Sequence, residues 1–167
     1  MRLSQFFNES LIDLHCSIAL DEEVEERYSG DKLLALYREM VFSRIADLLD
    51  QSGKIGNRNK LYNDLLNREK KASTAVGHGL AIPHVRTIQA KSMVMGFLRT
   101  DEELPWDTPD GQPLRFFVPI VGPPYDDKVY LRIYSQLGEL FESDEAVTQL
   151  ATVEEPGEVI RICGSMS

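Results

Sequence analysis

The sequence predicts a layered domain, α/β or α+β, built around a mixed sheet. Two long stretches, 31–50 and about 126–142, repeat apolar residues at helical steps of three and four. Between them, from 72 to 121, the period changes and short β-rich runs are bounded by Gly, Pro and Asp. The order is helices, then strands, then helices, which calls for layers packed on one core.

Size and charge narrow the classes. The 167 residues suit one domain, 1–167, which should bury roughly 70% of the surface its unfolded chain exposes. Hydrophobic residues make up 43% and charged residues 27%, so a wholly disordered chain is excluded. The net charge is −9 and no basic stripe is visible, which argues against nucleic acid and anionic lipid as partners. It suits instead a protein partner with a basic face. No apolar run approaches the ~20 residues of a membrane span. The opening MRLSQFFNESLIDLH carries acids and amides where a signal peptide would be apolar. A cytoplasmic protein is expected, with no membrane insertion. Cys16 and Cys163 lie near opposite ends without C-x-x-C spacing, and read as free thiols rather than a bridge.

Along the chain, Leu3, Phe6, Phe7 and Leu11 are spaced like a helix face, and 18–20 suits a short strand. The acidic run DEEVEERYSGD reads as a solvated loop or helix end. Leu33, Leu34, Tyr37, Met40, Val41, Ile45, Leu48 and Leu49 mark the first long helix, with Asp31 to cap it and Gly53 beyond its end. Asn57, a good N-cap, opens a second helix through Leu61, Leu65 and Leu66 to about Lys70. Strands are expected at 72–76, 80–82, 93–98 and 114–121, with the turn DTPDGQP before the last. Pro119 inside that run marks an edge or a strand end. The third long helix carries Val129, Tyr130, Ile133, Leu137, Leu140 and Phe141 on one stripe, and a short helix follows near 143–151. The tail 156–163 fits a helix with Pro156 at its first position, or a strand.

One segment carries chemistry: REKKASTAVGHGLAIPH, residues 68–84. Gly77 and Gly79 flank His78 and allow positive φ and close approach. Pro83 stops any helix and restrains the backbone before His84. A histidine so held can accept a phosphoryl group on one ring nitrogen while a hydrogen bond to the other fixes its tautomer. The added charge then needs backbone N–H groups, hydroxyls and an arginine fork. Arg68, Arg86, Ser73 and Thr74 are the candidates. Other readings fare worse. By residue type alone a histidine is more often surface or core than reactive. His78 and His84 are not at the i, i+4 spacing of a helical zinc pair, and no acid or thiol completes a ligand set, so no metal is expected. His15-Cys16 reads as structural or surface. Gly77-His78-Gly79 opens like a dinucleotide fingerprint, but its third small position is Ile82 and Pro83 blocks the helix.

Arg68-Glu69, Ser73-Thr74 and V-G-H-G-L-A-I-P-H together resemble the enzyme IIA family of the bacterial sugar phosphotransferase system, fructose/mannitol type, nitrogen-regulatory members included. Its signature is R-E, a short spacer, S-T, then G-x-G-[IL]-A-[IV]-P-H. The resemblance implies one α/β domain, a mixed sheet flanked by helices on both faces. It implies that His84 is phosphorylated by a small histidine phosphocarrier protein charged from phosphoenolpyruvate, and that Arg68 helps hold the phosphate. Thr74, Gly77 and Gly79 would shape the pocket; from the residues themselves, Ser73, His78, Arg86 and Tyr130 are added as expected phosphate-pocket support. His78 fills a variable position. No cofactor is implied. One departure stands out: the family's second histidine, in an H-L pair after the P-P turn, corresponds to Tyr130-Leu131 here. A phenol donates a hydrogen bond but no positive charge at pH 7. The onward partner would be a IIB component or, in a regulatory module, a target protein. An unrelated small enzyme is the third reading.

Overall fold

The computed structural model describes residues 2–125 and 128–165. The predicted start of the third long helix, at Asp126, lies outside the described residues. Eight strands are described: β1 Ile12–Cys16, β2 Ala75–Gly77, β3 Leu80–Ala81, β4 His84–Arg86, β5 Val94–Met95, β6 Phe97–Leu104, β7 Leu114–Phe117 and β8 Ile120–Gly122. The helices are α1 Glu22–Arg27, α2 Asp31–Asp50, α3 Arg58–Lys71, α4 Lys128–Glu142, α5 Asp144–Thr152 and α6 Pro156–Gly164.

Five strands form a mixed sheet in the order β1-β6-β7-β3-β2, and three form a second in the order β4-β8-β5. The two follow one another along the chain, β3 leading into β4 and β7 into β8. β3 and β4 run parallel to β7 and β8 in one unbroken register, Leu80 against Phe116 and His84 against Ile120. In that register Pro83 and Pro119 fall opposite each other, and neither can donate to the ladder. The chain is carried across the break by Val118 N–H to Ala81 O at 3.0 Å and Ile120 N–H to Pro83 O at 2.9 Å. The third strand crosses the same line at Gly96, whose N–H reaches Pro119 O at 3.0 Å. The single run expected at 114–121 is thus two strands, β7 and β8, divided at the proline that the sequence marks.

Both faces are covered, as expected. Along the strands alternate residues point to opposite layers. Leu80, Ile82, Phe116, Val118 and Ile120 pack under α4, α5 and α6. Ala81, Leu98, Phe117 and Val121 pack under α2 and α3. The two cysteines are free and lie in opposite layers, Cys16 with the α2 side and Cys163 with the α6 side. Burial pushes the Cys16 thiol up to about 11 and Cys163 up to about 12, so both stay protonated and unreactive.

Local signals act as read in several places. Asn57 caps α3 by accepting from Lys60 N–H at 3.0 Å, and Pro156 opens α6. At α2 the expectation needs correcting: Gly30, at φ 58°, takes the cap and Asp31 is already in the first turn. The N-terminal apolar residues form two short 3-10 turns rather than a helix face. The nearby strand is Ile12–Cys16, not 18–20; its alternation I-D-L-H-C matches its buried and exposed sides. The acidic run folds as the short helix α1, which buries none of its residues but receives the Tyr37 hydroxyl on Glu25 at 2.6 Å.

Candidate functional site

The alternation that buries Leu80 and Ile82 under α4 puts His84 on the same face, half-buried at the start of β4. Its ring folds back over Pro83, with Nδ1 2.7 Å from the Ile82 carbonyl oxygen. A carbonyl only accepts, so Nδ1 carries the proton and donates. Nε2 is left with its lone pair. Arg68 Nη2 lies 3.5 Å from Nε2, at the outer limit of a hydrogen bond, and Arg68 Nη1 donates to Ala72 O at 3.0 Å. Burial holds the His84 pKa below its usual 6.5, and Arg68 and Arg86 push the same way; the Ile82 bond and Glu69 oppose them. The ring is neutral at pH 7, with a nucleophilic nitrogen beside a guanidinium.

Arg68 reaches the ring because α3 is fixed against β4. Asp64, one turn earlier on α3, accepts the Thr87 hydroxyl at 2.6 Å just past the end of β4. At the other side of the ring stands α4. Tyr134 meets the imidazole edge-on, ring centroids 5.0 Å apart at 65°. The Arg86 guanidinium lies over the Tyr130 ring at 5.3 Å. Arg68, His84, Val85, Arg86, Tyr130, Leu131 and Tyr134 enclose a cavity of about 300 Å³. A neighbouring cavity, also about 300 Å³, adds Ser73, Thr74 and Val76 to His84, Arg68 and Tyr134.

The structure therefore brings Arg68, His84, Arg86 and Tyr130 together, with Ser73 and Thr74 beside them. Two of these are otherwise engaged. The Thr74 hydroxyl donates to Glu69 Oε2 at 2.6 Å, and the Ser73 hydroxyl donates to Asp107 O at 2.6 Å. His78, Gly77 and Gly79 lie at the β2–β3 turn, where all three have positive φ and His78 N–H donates to Asp110 Oδ2 at 2.9 Å. They line neither cavity. Strand β3 and the Ile82-Pro83 link separate this turn from His84, so these glycines shape the turn rather than the pocket wall.

Sequence reasoning missed Glu69 and Tyr134. Glu69, there only the second residue of the R-E pair and given no role, is 3% exposed. Its carboxylate accepts from Thr74 N–H, Thr74 Oγ1 and Trp106 Nε1 at 2.9, 2.6 and 3.2 Å. Thr74 O in turn accepts from Ile82 N–H at 3.1 Å. Ile82 O is the acceptor that sets the His84 tautomer, so Glu69 supports the ring through three hydrogen bonds in series. No local signal points to that contact. Tyr134 had one: it stands four residues after Tyr130, on the same helical face.

Tyr130 explains a glycine. A Cβ on Gly122 would overlap the Tyr130 hydroxyl, and the nearest ring carbon would be only 3.0 Å away. Gly122→Ala is therefore expected to push Tyr130 out of the cavity and to cost about 1–3 kcal/mol, as overpacking does. Thermal unfolding together with the Tyr130 ring resonances would check this; an unmoved ring would refute it.

Fold and site define a class: a layered α/β domain that presents a neutral imidazole nitrogen against an arginine. The family model of the phosphoenolpyruvate-dependent sugar phosphotransferase system, EIIA 2, matches residues 32–165. The chain belongs to that family. It is 30% identical over 125 residues to the fructose-specific EIIABC component of Bacillus subtilis, covering 75% of this chain but only 20% of that longer protein. It is 27% identical over 117 residues to the fructose-specific EIIA component of Haloferax volcanii, covering 70% of this chain and 76% of that one. The nitrogen regulatory protein IIA-Ntr of Neisseria meningitidis superposes with a TM-score of 0.78 at 26% identity, over 96% of this chain and 98% of that one. The fold is also that of the Escherichia coli mannitol IIA enzyme solved with its phosphorylated IIB, with a TM-score of 0.71 at 15% identity over 95% and 97% of the two chains. Among the described residues no helix is long and apolar enough to cross a membrane, and no group of three His, Cys, Asp or Glu residues could hold a metal.

Proposed function

We propose that this protein is a phosphohistidine carrier. His84 Nε2 attacks the phosphorus of a phosphorylated histidine phosphocarrier protein. The Nε2–P bond forms as the donor's N–P bond breaks, and the electron pair returns to the donor nitrogen. Nδ1 keeps its proton throughout, held by the Ile82 carbonyl. The single observation that carries this reading is that bond, which leaves Nε2 unprotonated and facing Arg68. Phosphoryl transfer rests mostly on positioning and electrostatics. Arg68 supplies one positive charge. Arg86, over Tyr130, supplies the charge that a histidine at 130 would have carried.

A macromolecular donor suits the surroundings. Val76, Ile88 and Leu131 are exposed apolar side chains, and each lines a cavity that Arg68 also lines. The onward acceptor in this reading is a IIB protein, as in the mannitol complex. A regulatory role, in which phosphorylation of His84 switches binding to a target protein, is the second reading. The likeness to a nitrogen regulatory protein over nearly the whole chain favours it. The test is incubation with phosphoenolpyruvate and the two general phosphotransferase proteins. An acid-labile adduct of roughly +80 Da on His84 is expected; no adduct overturns the reading. Passage to a IIB protein supports transport, and retention supports regulation.

The pH dependence follows from the sign of the shift. Because burial lowers the His84 pKa, the neutral ring persists as pH falls through 6.5, and protonates only further into acid. A ring titration by 15N NMR should therefore give a midpoint below 6.5. A midpoint at or above that value would contradict the buried placement.

A further inference from the structure

We propose that the Tyr134 hydroxyl is a phosphoryl-binding donor of this site, held against His84 by the edge-on packing of the two rings. The inference rests on the phosphocarrier reading and assigns a residue to it. Tyr134 follows Tyr130 by one helical turn, and its ring meets the imidazole at 5.0 Å. It lines both cavities that contain His84 and Arg68. Its hydroxyl is buried and has no hydrogen-bond partner among the described residues. Burying a hydroxyl unpaired is unfavourable, and native proteins seldom do so without a reason. Phenylalanine would pack the same space without that penalty. A group that arrives during function removes the penalty, and phosphoryl oxygens on Nε2 are acceptors of the right kind.

The charge state agrees. Burial raises the Tyr134 pKa above its usual 10, so the phenol keeps its proton and can only act as a neutral partner. Arg68 and Arg86 line the same cavity as Tyr134. Phosphoryl oxygens drawn to those two cations would sit beside it. Tyr134 would then restore the hydrogen bond of a second histidine, as Arg86 restores the charge.

The variant Tyr134→Phe removes one oxygen and leaves the ring contact. Both proteins are loaded with phosphoramidate, a small donor that needs no partner protein. Here Nε2–P forms, the P–N bond of the reagent breaks, and ammonia leaves. The expected result has three parts: a displaced 31P resonance in the variant, phosphohistidine decay faster by about tenfold or more, and a Tm equal to or above that of the native protein. Equal lifetimes and 31P shifts would overturn the proposal. So would a Tm loss of several degrees, which would reveal a structural bond, or a native His84 that phosphoramidate cannot load. The phosphocarrier reading fails by a different result: native protein that phosphoramidate loads but the general phosphotransferase proteins never do.

Discussion

His84→Ala is expected to abolish the acid-labile adduct altogether, while leaving the fold intact. The other histidines cannot replace it. His78 sits at the β2–β3 turn, hydrogen-bonded through its backbone to Asp110, and lines neither cavity at Arg68. His15 lies on β1, an edge strand of the sheet. Only at His84 do the three requirements meet: a proton parked on Nδ1, a bare Nε2, and a guanidinium 3.5 Å away. The cost in stability should be small, because the half-buried ring gives up one hydrogen bond and an aromatic contact, about 1–2 kcal/mol. Intact-mass measurement before and after acid treatment checks the first claim, and thermal unfolding the second. An adduct that survives the substitution at native yield would move the phosphoryl site elsewhere.

Glu69→Ala is expected to give the largest loss of stability among single changes near the site. It strands Thr74 N–H, Thr74 Oγ1 and Trp106 Nε1 together. A buried donor left without its acceptor costs about 1–3 kcal/mol, and here three donors lose theirs at once. For a domain of this size that is on the order of 10 °C in Tm. Loss of function should accompany it, since Thr74 O holds Ile82 N–H and Ile82 O holds the His84 proton. Glu69→Gln keeps one acceptor oxygen and should lose less. Calorimetry of the two variants tests the ordering; a Tm for Glu69→Ala within about 2 °C of native would show that the network is dispensable.

The division between what was legible and what was not runs along contact range. The apolar stripe of α4 and the Asn57 cap are local matters, decided within one or two turns, and a sequence states them directly. Strands fare worse. β4 has three residues and exists because β8, far along the chain, runs parallel to it. β1 was hidden because the helical spacing before it ran on into its alternation. Within the motif, the residues that belong to the pocket and those that only shape a turn share one short segment, and spacing alone does not separate them.

By itself, then, the chain of residues determined the long helices, the layered class, the family, and a histidine behind a proline with an arginine upstream. The helices, the layers and the positioned histidine follow from periodicity and from short-range backbone restriction; the family follows from the resemblance of the R-E, S-T and A-I-P-H motif. The tertiary structure alone decided which imidazole nitrogen carries the proton, that Glu69 braces the loop behind it, that Tyr134 lies against it, and that His78 does not. Each of those depends on groups brought together from separate elements, and side chains meeting across a sheet and two helices leave no regular mark in the order of residues.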